Sequence, residues 1–497
     1  MRFAAPQEPA PWTEPRDASA YGPTPQRVPF GEVTAIPEPT IPGTETLSVN
    51  VFTPPLADAE REGARLPVLV WIHGGGYRAG SAASPWYDGA AFARDGIVTV
   101  TISYRLGLDG FGSVPGAPDN RGLRDQIAAL TWVRRAIGAF GGDPERVTIA
   151  GQSAGGGSVL ALLASPAAEG LFRAGISQSG ALRRMPLETA RERTARLAQI
   201  AGVEPTLEGL ATLDDAAIDA AQAALEGELG AAAQQAAAAS AAPLADWVAE
   251  NLAGADMPGL AFYPVADDEI LPREILDALA DPPARRPLLA GAVADEFSMA
   301  GGALAGMLGG ADVVEALGST VVGDLAGRLV TELNRGHPAA DALGGIITLG
   351  TFRLPLLEVA DRSAGPIFVY DLRFAPRGGT ASHCIDVPFV FDALGTAAEH
   401  VTALCGEQPP QELADAVHGA WVRFIADGKP GWPAWETAEG RGIRLGGPEA
   451  SGDCAVEPLL GLERALAERL AEAAPVAEPD PASSIAPAPD HSPEENR

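Results

Sequence analysis

The sequence predicts an α/β protein with a central, mostly parallel twisted sheet flanked by helices and carrying helical lid insertions. Three observations support this. Short β-branched or aromatic runs at Leu47 to Thr53, Leu66 to Ile72 and Ile97 to Tyr104 read as strands, and the last two are too apolar to be half exposed, as expected where helices cover both faces of a sheet. The run Ile127 to Phe140 then places Ala128, Leu130, Trp132, Val133, Ile137 and Phe140 at helical spacing. Alternation resumes with a turn at Gly141-Gly142-Asp143-Pro144, a strand over Arg146 to Ala150, a buried helix over Ala154 to Ala164 and a strand over Ala174 to Ser177; strands alternating with helices form parallel sheets.

From Arg183 to Leu260 the chain turns Ala-rich, helical and acidic, and residues 183–260 are expected to form a variable helical insertion, a lid over a substrate gorge being its functional reading. Strands return at Pro287 to Val293 and Pro366 to Leu372. The first leads into a loop with Asp295 and Glu296, the second into one with His383. A last helix over Gln411 to Ala426 precedes a loop holding Trp432, Pro433 and Trp435. Residues 475–497 carry six prolines and five acids against one Arg, the composition of a disordered tail.

Composition narrows the function classes. The 497 residues hold 35 Lys plus Arg against 65 Asp plus Glu, a formal net charge of −30, which disfavours nucleic acid and anionic membranes as partners. Lys429 is the sole lysine and lies in the turn-like Asp427-Gly428-Lys429-Pro430, so a P-loop or a pyridoxal Schiff base has no lysine where it needs one. Cys384, Cys405 and Cys454 form no C-x-x-C pair, and an odd count is a poor disulfide framework. A reducing, cytoplasmic setting without structural zinc is the expectation. The N-terminus has no apolar signal-like core, and the uncharged run Val147 to Ala168 is too rich in Gly and Ser to span a bilayer. No membrane association is expected, and a monomer or weak homo-oligomer is.

Gly151-Gln152-Ser153-Ala154-Gly155 is the one G-x-S-x-G in the chain and lies between a predicted strand and a predicted helix. Glycines on both sides permit a cramped strand-to-helix turn that exposes the Ser153 hydroxyl at the carboxyl edge of the sheet, whereas a plain glycine-rich turn is the bland reading. A serine nucleophile needs a base. Around such a turn the chain order is serine, acid, histidine, which removes His73. His491 is in the tail, His418 is on a helix, and His337 and His400 follow no strand. His383 remains as the base, one loop beyond a buried strand. Asp295 and Glu296 both qualify as the acid by position. His73-Gly74-Gly75-Gly76-Tyr77, directly after a strand, supplies backbone N–H groups able to hold an oxyanion. Gly74, Gly76 and Ala79 also fit a dinucleotide fingerprint loosely, but no helix follows them and Ser103, Tyr104 and Arg105 stand where an acid would be required.

At these residues the chain resembles the type-B carboxylesterases of the alpha/beta-hydrolase superfamily, close to para-nitrobenzyl-esterase-like enzymes. The motifs VLVWIHGGGYRAGS at Val68 to Ser81, SYRLGLDGF at Ser103 to Phe111, DNRGLRDQIAALTW at Asp119 to Trp132 and FGGDPERVTIAGQSAGG at Phe140 to Gly156 carry the resemblance, with FRAGISQSGA, YPVADDEILP, PLLAGAVADEF and HCIDVPFVF further on. The resemblance implies a serine carboxylic-ester hydrolase acting on small or aryl esters. It selects Glu296 over Asp295 as the acid, through a D-E-G pattern whose Gly is Phe297 here. It assigns the oxyanion donors to Gly75, Gly76 and Ala154, and it gives Ser179 and Asp386 a role in steadying His383. No metal or organic cofactor is implied. A hydrolase of carbamates, lactones or polyesters with the same triad is the alternative, followed by a catalytically silent binding module.

Departures from the family pattern carry expectations too. Gln152 replaces a Glu, removing a negative charge that could stabilise a cationic substrate, so choline-ester specificity is disfavoured. Thr46 replaces a Cys that secreted members place in a disulfide. The chain starts at the family's R-F-x-x-P stretch (Arg2, Phe3, Pro6), where an upstream start supplying the N-terminal hairpin is expected. Because the candidate triad draws on residues 153, 296 and 383, residues 1–474 are expected to form one catalytic domain.

Overall fold

In the computed structural model, which describes residues 2–29, 34–55, 63–240, 242–254, 259–281, 285–334 and 341–473, the expected strands join in one sheet. They are β1 (Val49–Phe52), β2 (Leu66–Ile72), β3 (Val98–Ile102), β4 (Gly142–Gln152), β5 (Ala174–Gln178), β6 (Leu288–Val293) and β7 (Ile367–Leu372), extended by β8 (Arg441–Leu445) and β9 (Cys454–Pro458). The order across the sheet is β1-β3-β2-β4-β5-β6-β7-β8-β9. β1 runs antiparallel to β3 and β9 to β8, and every pairing between them is parallel. Strands buried on both faces need apolar residues on both, and alternate residues of β2 divide accordingly. Val68, Val70 and Ile72 join one core, Leu69 and Trp71 the other. The tail expected over 475–497, with His337 and His491, lies outside the described residues.

The chain reverses its direction of travel across the sheet beside β2, stepping to β3 on one side and to β4 on the other. Such a switch point opens a crevice at the carboxyl ends of the two strands it separates. Those ends lead here to the glycines after Ile72 and to Ser153, and Ile72 stands opposite Gly151 in register. Topology therefore brings together two motifs about eighty residues apart in the chain.

Two element boundaries differ from the hydropathy reading. The helix expected from Ile127 begins at Arg121 and continues to Ala136 (α1), with a short 3-10 turn to Phe140. Its first residues, Arg121, Asp125 and Gln126, are polar yet buried, which periodicity of apolar residues cannot detect. Each has partners instead. The Arg121 guanidinium donates to the carbonyls of Leu108, Asp109, Gly112 and Pro118, and Asp125 pairs with Arg105 at 2.7 Å. Strand β4 also starts at Gly142, so the preceding turn closes earlier, with the Gly141 N–H on the Gly138 carbonyl.

The helix after Ser153 spans Ala154–Ala164 (α2), and the Ala-rich insertion contains a helix over Asp215–Ala239 (α3). Helical turns also fill much of the chain between β6 and β7, a layer the sequence reading did not anticipate. Its continuous run Asp341–Arg362 is long and apolar enough to cross a bilayer, but 83% of its most apolar window is buried in the fold, as in a core helix. Within it Leu349–Arg353 adopts a π-helical turn. That turn holds Arg353 where its guanidinium bridges Asp371 of β7 at 2.8 Å and Glu463 at the start of a terminal helix, Gly461–Ala473 (α4). All three side chains are buried. Removing one member of such a network strands the others' charges away from water. Arg353→Ala is therefore expected to cost about 3–5 kcal/mol of stability, read as a lowered urea midpoint; a loss below about 1 kcal/mol would mean the network does not hold this layer to the sheet.

Candidate active site

Strand β4 passes into α2 through a single residue, Ser153, at φ 58 and ψ −122. A non-glycine residue rarely occupies this region, and surrounding contacts must impose it. They are visible on both sides. The Ser153 N–H donates to the Gln178 carbonyl of β5 at 2.8 Å, and the Ser153 carbonyl accepts from Gly157 at 2.9 Å. A Cβ at Gly155 would stand 2.0 Å from the Ile72 carbonyl oxygen, so only glycine lets α2 start this close to β2.

Parallel β6 and β7 bring the acid loop and the histidine loop to the same edge. The two are laced through the backbone, since the His383 N–H donates to the Glu296 carbonyl at 3.0 Å. Their side chains meet there, with His383 Nδ1 2.5 Å from Glu296 Oε2. Glu296 Oε1 accepts the Val293 N–H at 2.8 Å, which fixes the buried carboxylate in orientation. Asp295 faces elsewhere, its Oδ2 accepting the Ala381 N–H at 2.8 Å. Burial of the ring disfavours the imidazolium, but the adjoining Cys384 and the Glu296 carboxylate outweigh it and hold His383 well above the usual imidazole range. Pairing with a carboxylate keeps the proton on Nδ1 and leaves the Nε2 lone pair free to accept.

Ser153 and His383 line one cavity of about 490 Å³, together with Gly75, Gly76 and Ala154. Gly75 and Gly76 have φ of 103° and 61°, and their N–H groups meet no protein acceptor among the described residues. Ala154 is the first residue of α2, where an N–H has no intrahelical partner. The three residues that the resemblance names as oxyanion donors thus line the same cavity as Ser153.

Nε2 of His383 faces the Gln152 amide, 3.3 Å from Gln152 Nε2. Gln152 Oε1 in turn lies 3.5 Å from the Cys384 thiol. The sequence reading found Gln152 only as a missing charge, and neither this contact nor Cys384 as a wall residue was anticipated. Two aromatic rings were missed as well. Phe297 stacks on His383 at 4.8 Å and Phe352 lies against it at 5.2 Å. Phe297 follows the acid directly and could have been noticed in place of the family's Gly, whereas Phe352 reaches the site only through the π-helical turn. Ser179 and Asp386 do not touch His383 through a hydrogen bond. The Ser179 hydroxyl is buried without a hydrogen-bond partner among the described residues, and Asp386 accepts from Gln178 at 2.7 Å and from the Tyr370 hydroxyl at 3.4 Å. The other described histidines stand apart. His73 stacks on Tyr104 at 4.4 Å, His400 packs edge-on against Trp86, and His418 pairs with Asp95 at 3.0 Å. Among the described residues no group of three or more His, Cys, Asp or Glu is arranged to hold a metal ion.

The chain is similar to known proteins over most of its length. Residues 1–310 match the profile of the carboxylesterase family. The chain is 34% identical over 465 residues to the para-nitrobenzyl esterase of Bacillus subtilis (strain 168), covering 88% of this chain and 87% of that one. It is 32% identical to the phenmedipham hydrolase of Pseudarthrobacter oxydans over 88% and 86% of the two chains. A solved thermophilic PNB esterase superposes with a TM-score of 0.73 at 29% identity, over 94% of this chain and 92% of that one. A Geobacillus stearothermophilus carboxylesterase does so with a TM-score of 0.71, at the same identity and coverage. The crevice at the β2/β4 switch point therefore lies in a known enzyme architecture, and the chain belongs to the carboxylesterase family, ester-hydrolysing enzymes of the α/β-hydrolase fold.

Proposed function

We propose that this enzyme hydrolyses small and aryl carboxylic esters through a Ser153-His383-Glu296 triad and an acyl-enzyme intermediate. The observation that carries this reading is the 2.5 Å pairing of His383 Nδ1 with a fully buried Glu296 carboxylate beside the strained turn at Ser153. Ser153 Oγ attacks the ester carbonyl carbon while His383 Nε2 takes its proton, displacing the Gln152 amide as the partner of that nitrogen. Glu296 stabilises the imidazolium so formed. The N–H groups of Gly75, Gly76 and Ala154 receive the negative charge that develops on the carbonyl oxygen, each worth about 2.7–4 kcal/mol of barrier. His383 then returns the proton to the leaving alcohol. Water, activated by the same nitrogen, cleaves the acyl-enzyme and releases the acid. The Phe297 and Phe352 rings, with Ile36 and Leu260, give the cavity an apolar lining suited to aryl and short alkyl groups. Residues 183–260, which contribute Leu260 to that wall, are read as part of its cover.

Turnover of p-nitrophenyl acetate and butyrate tests the assignment. Ser153→Ala is expected to lose at least ~10⁴-fold in kcat, and activity surviving that change would defeat the mechanism. Glu296→Gln is expected to lose ~10³–10⁴-fold and Asp295→Asn far less, the reverse order reassigning the acid.

The pH profile adds an independent check. Only neutral His383 can accept the serine proton, and its pKa is raised, so kcat/KM is expected to fall as the pH drops through a value above about 6.5. Glu296→Gln removes a charge that favours the imidazolium and should move this acid limb to lower pH, while Asp295→Asn should leave it in place. An acid limb indifferent to Glu296 would contradict the pairing.

A further inference from the structure

The cavity that holds Ser153 and His383 also contains a charged group which ester hydrolysis does not require. Among the described residues, Glu38 is the one carboxylate lining it. It arrives from the segment preceding β1, and that segment is fastened to the oxyanion loop by a buried side chain. Gln26 Nε2 donates to the Glu38 carbonyl and to the Thr40 hydroxyl, both at 3.1 Å, while Gln26 Oε1 accepts the Gly80 N–H at 2.5 Å. Among the described residues neither carboxylate oxygen of Glu38 has a hydrogen-bond or ion-pair partner, and Oε2 is buried. An ionised carboxylate withdrawn from water without a donor is destabilised, and burial pushes this one up to about 7. Buried polar groups are ordinarily satisfied, so one left open on an active-site wall calls for a donor from outside the protein.

Resting on the ester-hydrolase reading of Ser153, we propose that Glu38 is a specificity-determining residue that receives a protonated amine of the substrate, so that the enzyme favours esters bearing a basic nitrogen. The rest of the described lining is largely apolar or glycine, and among the described residues no other carboxylate there could partner a cationic N–H group. A charge is indeed absent at Gln152, but the segment before β1 returns one to the same cavity. The formal charge of −30 acts in the same direction, since a strongly acidic protein draws cations toward it.

The test compares matched ester pairs at pH 8, where an alkylamine is protonated and the Glu38 carboxyl is ionised. Benzoate esters of ω-(dimethylamino)alkanols with three- to six-carbon chains are paired with neutral isosteres in which a methine replaces the nitrogen. For at least one chain length the wild type should show a kcat/KM about ten- to a hundredfold higher for the amine, arising mainly in KM and shrinking with added salt. Glu38→Gln should bring the ratio near unity. The ratio is taken within one preparation, so a partly folded variant still reports it. A wild-type ratio at or below unity at every length, or a preference surviving in Glu38→Gln, overturns the inference while neutral-ester turnover preserves the hydrolase reading. Absence of turnover of every ester, neutral ones included, overturns both.

Discussion

Between β2 and β4 the backbone of the nucleophile turn lies almost against the backbone of the neighbouring strand, and the rest of the site is arranged around that approach. A side chain at Gly155 would overlap the Ile72 carbonyl, and one at Gly151 would come within 2.5 Å of the Gly155 backbone. This crowding, with Ser153 N–H held by β5, keeps Ser153 in a conformation that an isolated chain would leave. It also sets the start of α2, and hence the Ala154 N–H, beside the loop of Gly75 and Gly76. One steric constraint thus positions the Ser153 hydroxyl and the N–H groups proposed as oxyanion donors together, before substrate arrives.

The electrostatics of the site depend on orientation as much as on charge. Two adjacent carboxylates follow β6, and their backbone and loop contacts point them in opposite directions. Glu296 meets His383, whereas Asp295 ties down Ala381 and thereby the loop that carries the histidine. The acid that does not face the imidazole therefore still helps to place it. Flanking rings of Phe297 and Phe352 press on the same imidazole, and the π-helical turn that delivers Phe352 also directs Arg353 to its buried ion pairs. Site geometry and the stability of the helical layer are coupled through that turn.

Charge in the cavity is redistributed relative to the family pattern. A neutral amide, Gln152, stands directly before Ser153 and lies against His383 Nε2. A carboxylate of the cavity wall, that of Glu38, belongs to another part of the chain, whose backbone carbonyl at Glu38 is held by Gln26. In the proposed reading, specificity and catalysis draw on different segments, which allows one to change without disturbing the other.

Much of this was legible in the amino-acid sequence. Doubly buried strands have to be apolar throughout, and glycines have to stand where backbones approach, so β2 to β7 and both glycine motifs could be read locally. His383 emerged by elimination, because it alone followed a strand at the right edge. Elements stabilised by satisfied polar groups were not legible: the buried start of α1, the half-exposed strands β8 and β9, and the helical layer around Arg353 show no apolar periodicity that sets them apart. Spacing alone also left Asp295 and Glu296 equivalent. The family resemblance chose Glu296, and the contacts around paired β6 and β7 turn Glu296 rather than Asp295 toward His383, because the direction of a side chain after a strand depends on contacts made by residues far away in the chain. The same holds for Gln152, Cys384, Phe352 and Glu38. Their residue types are ordinary in sequence, and their place in the site follows from long-range packing that brings segments distant in the chain around one serine.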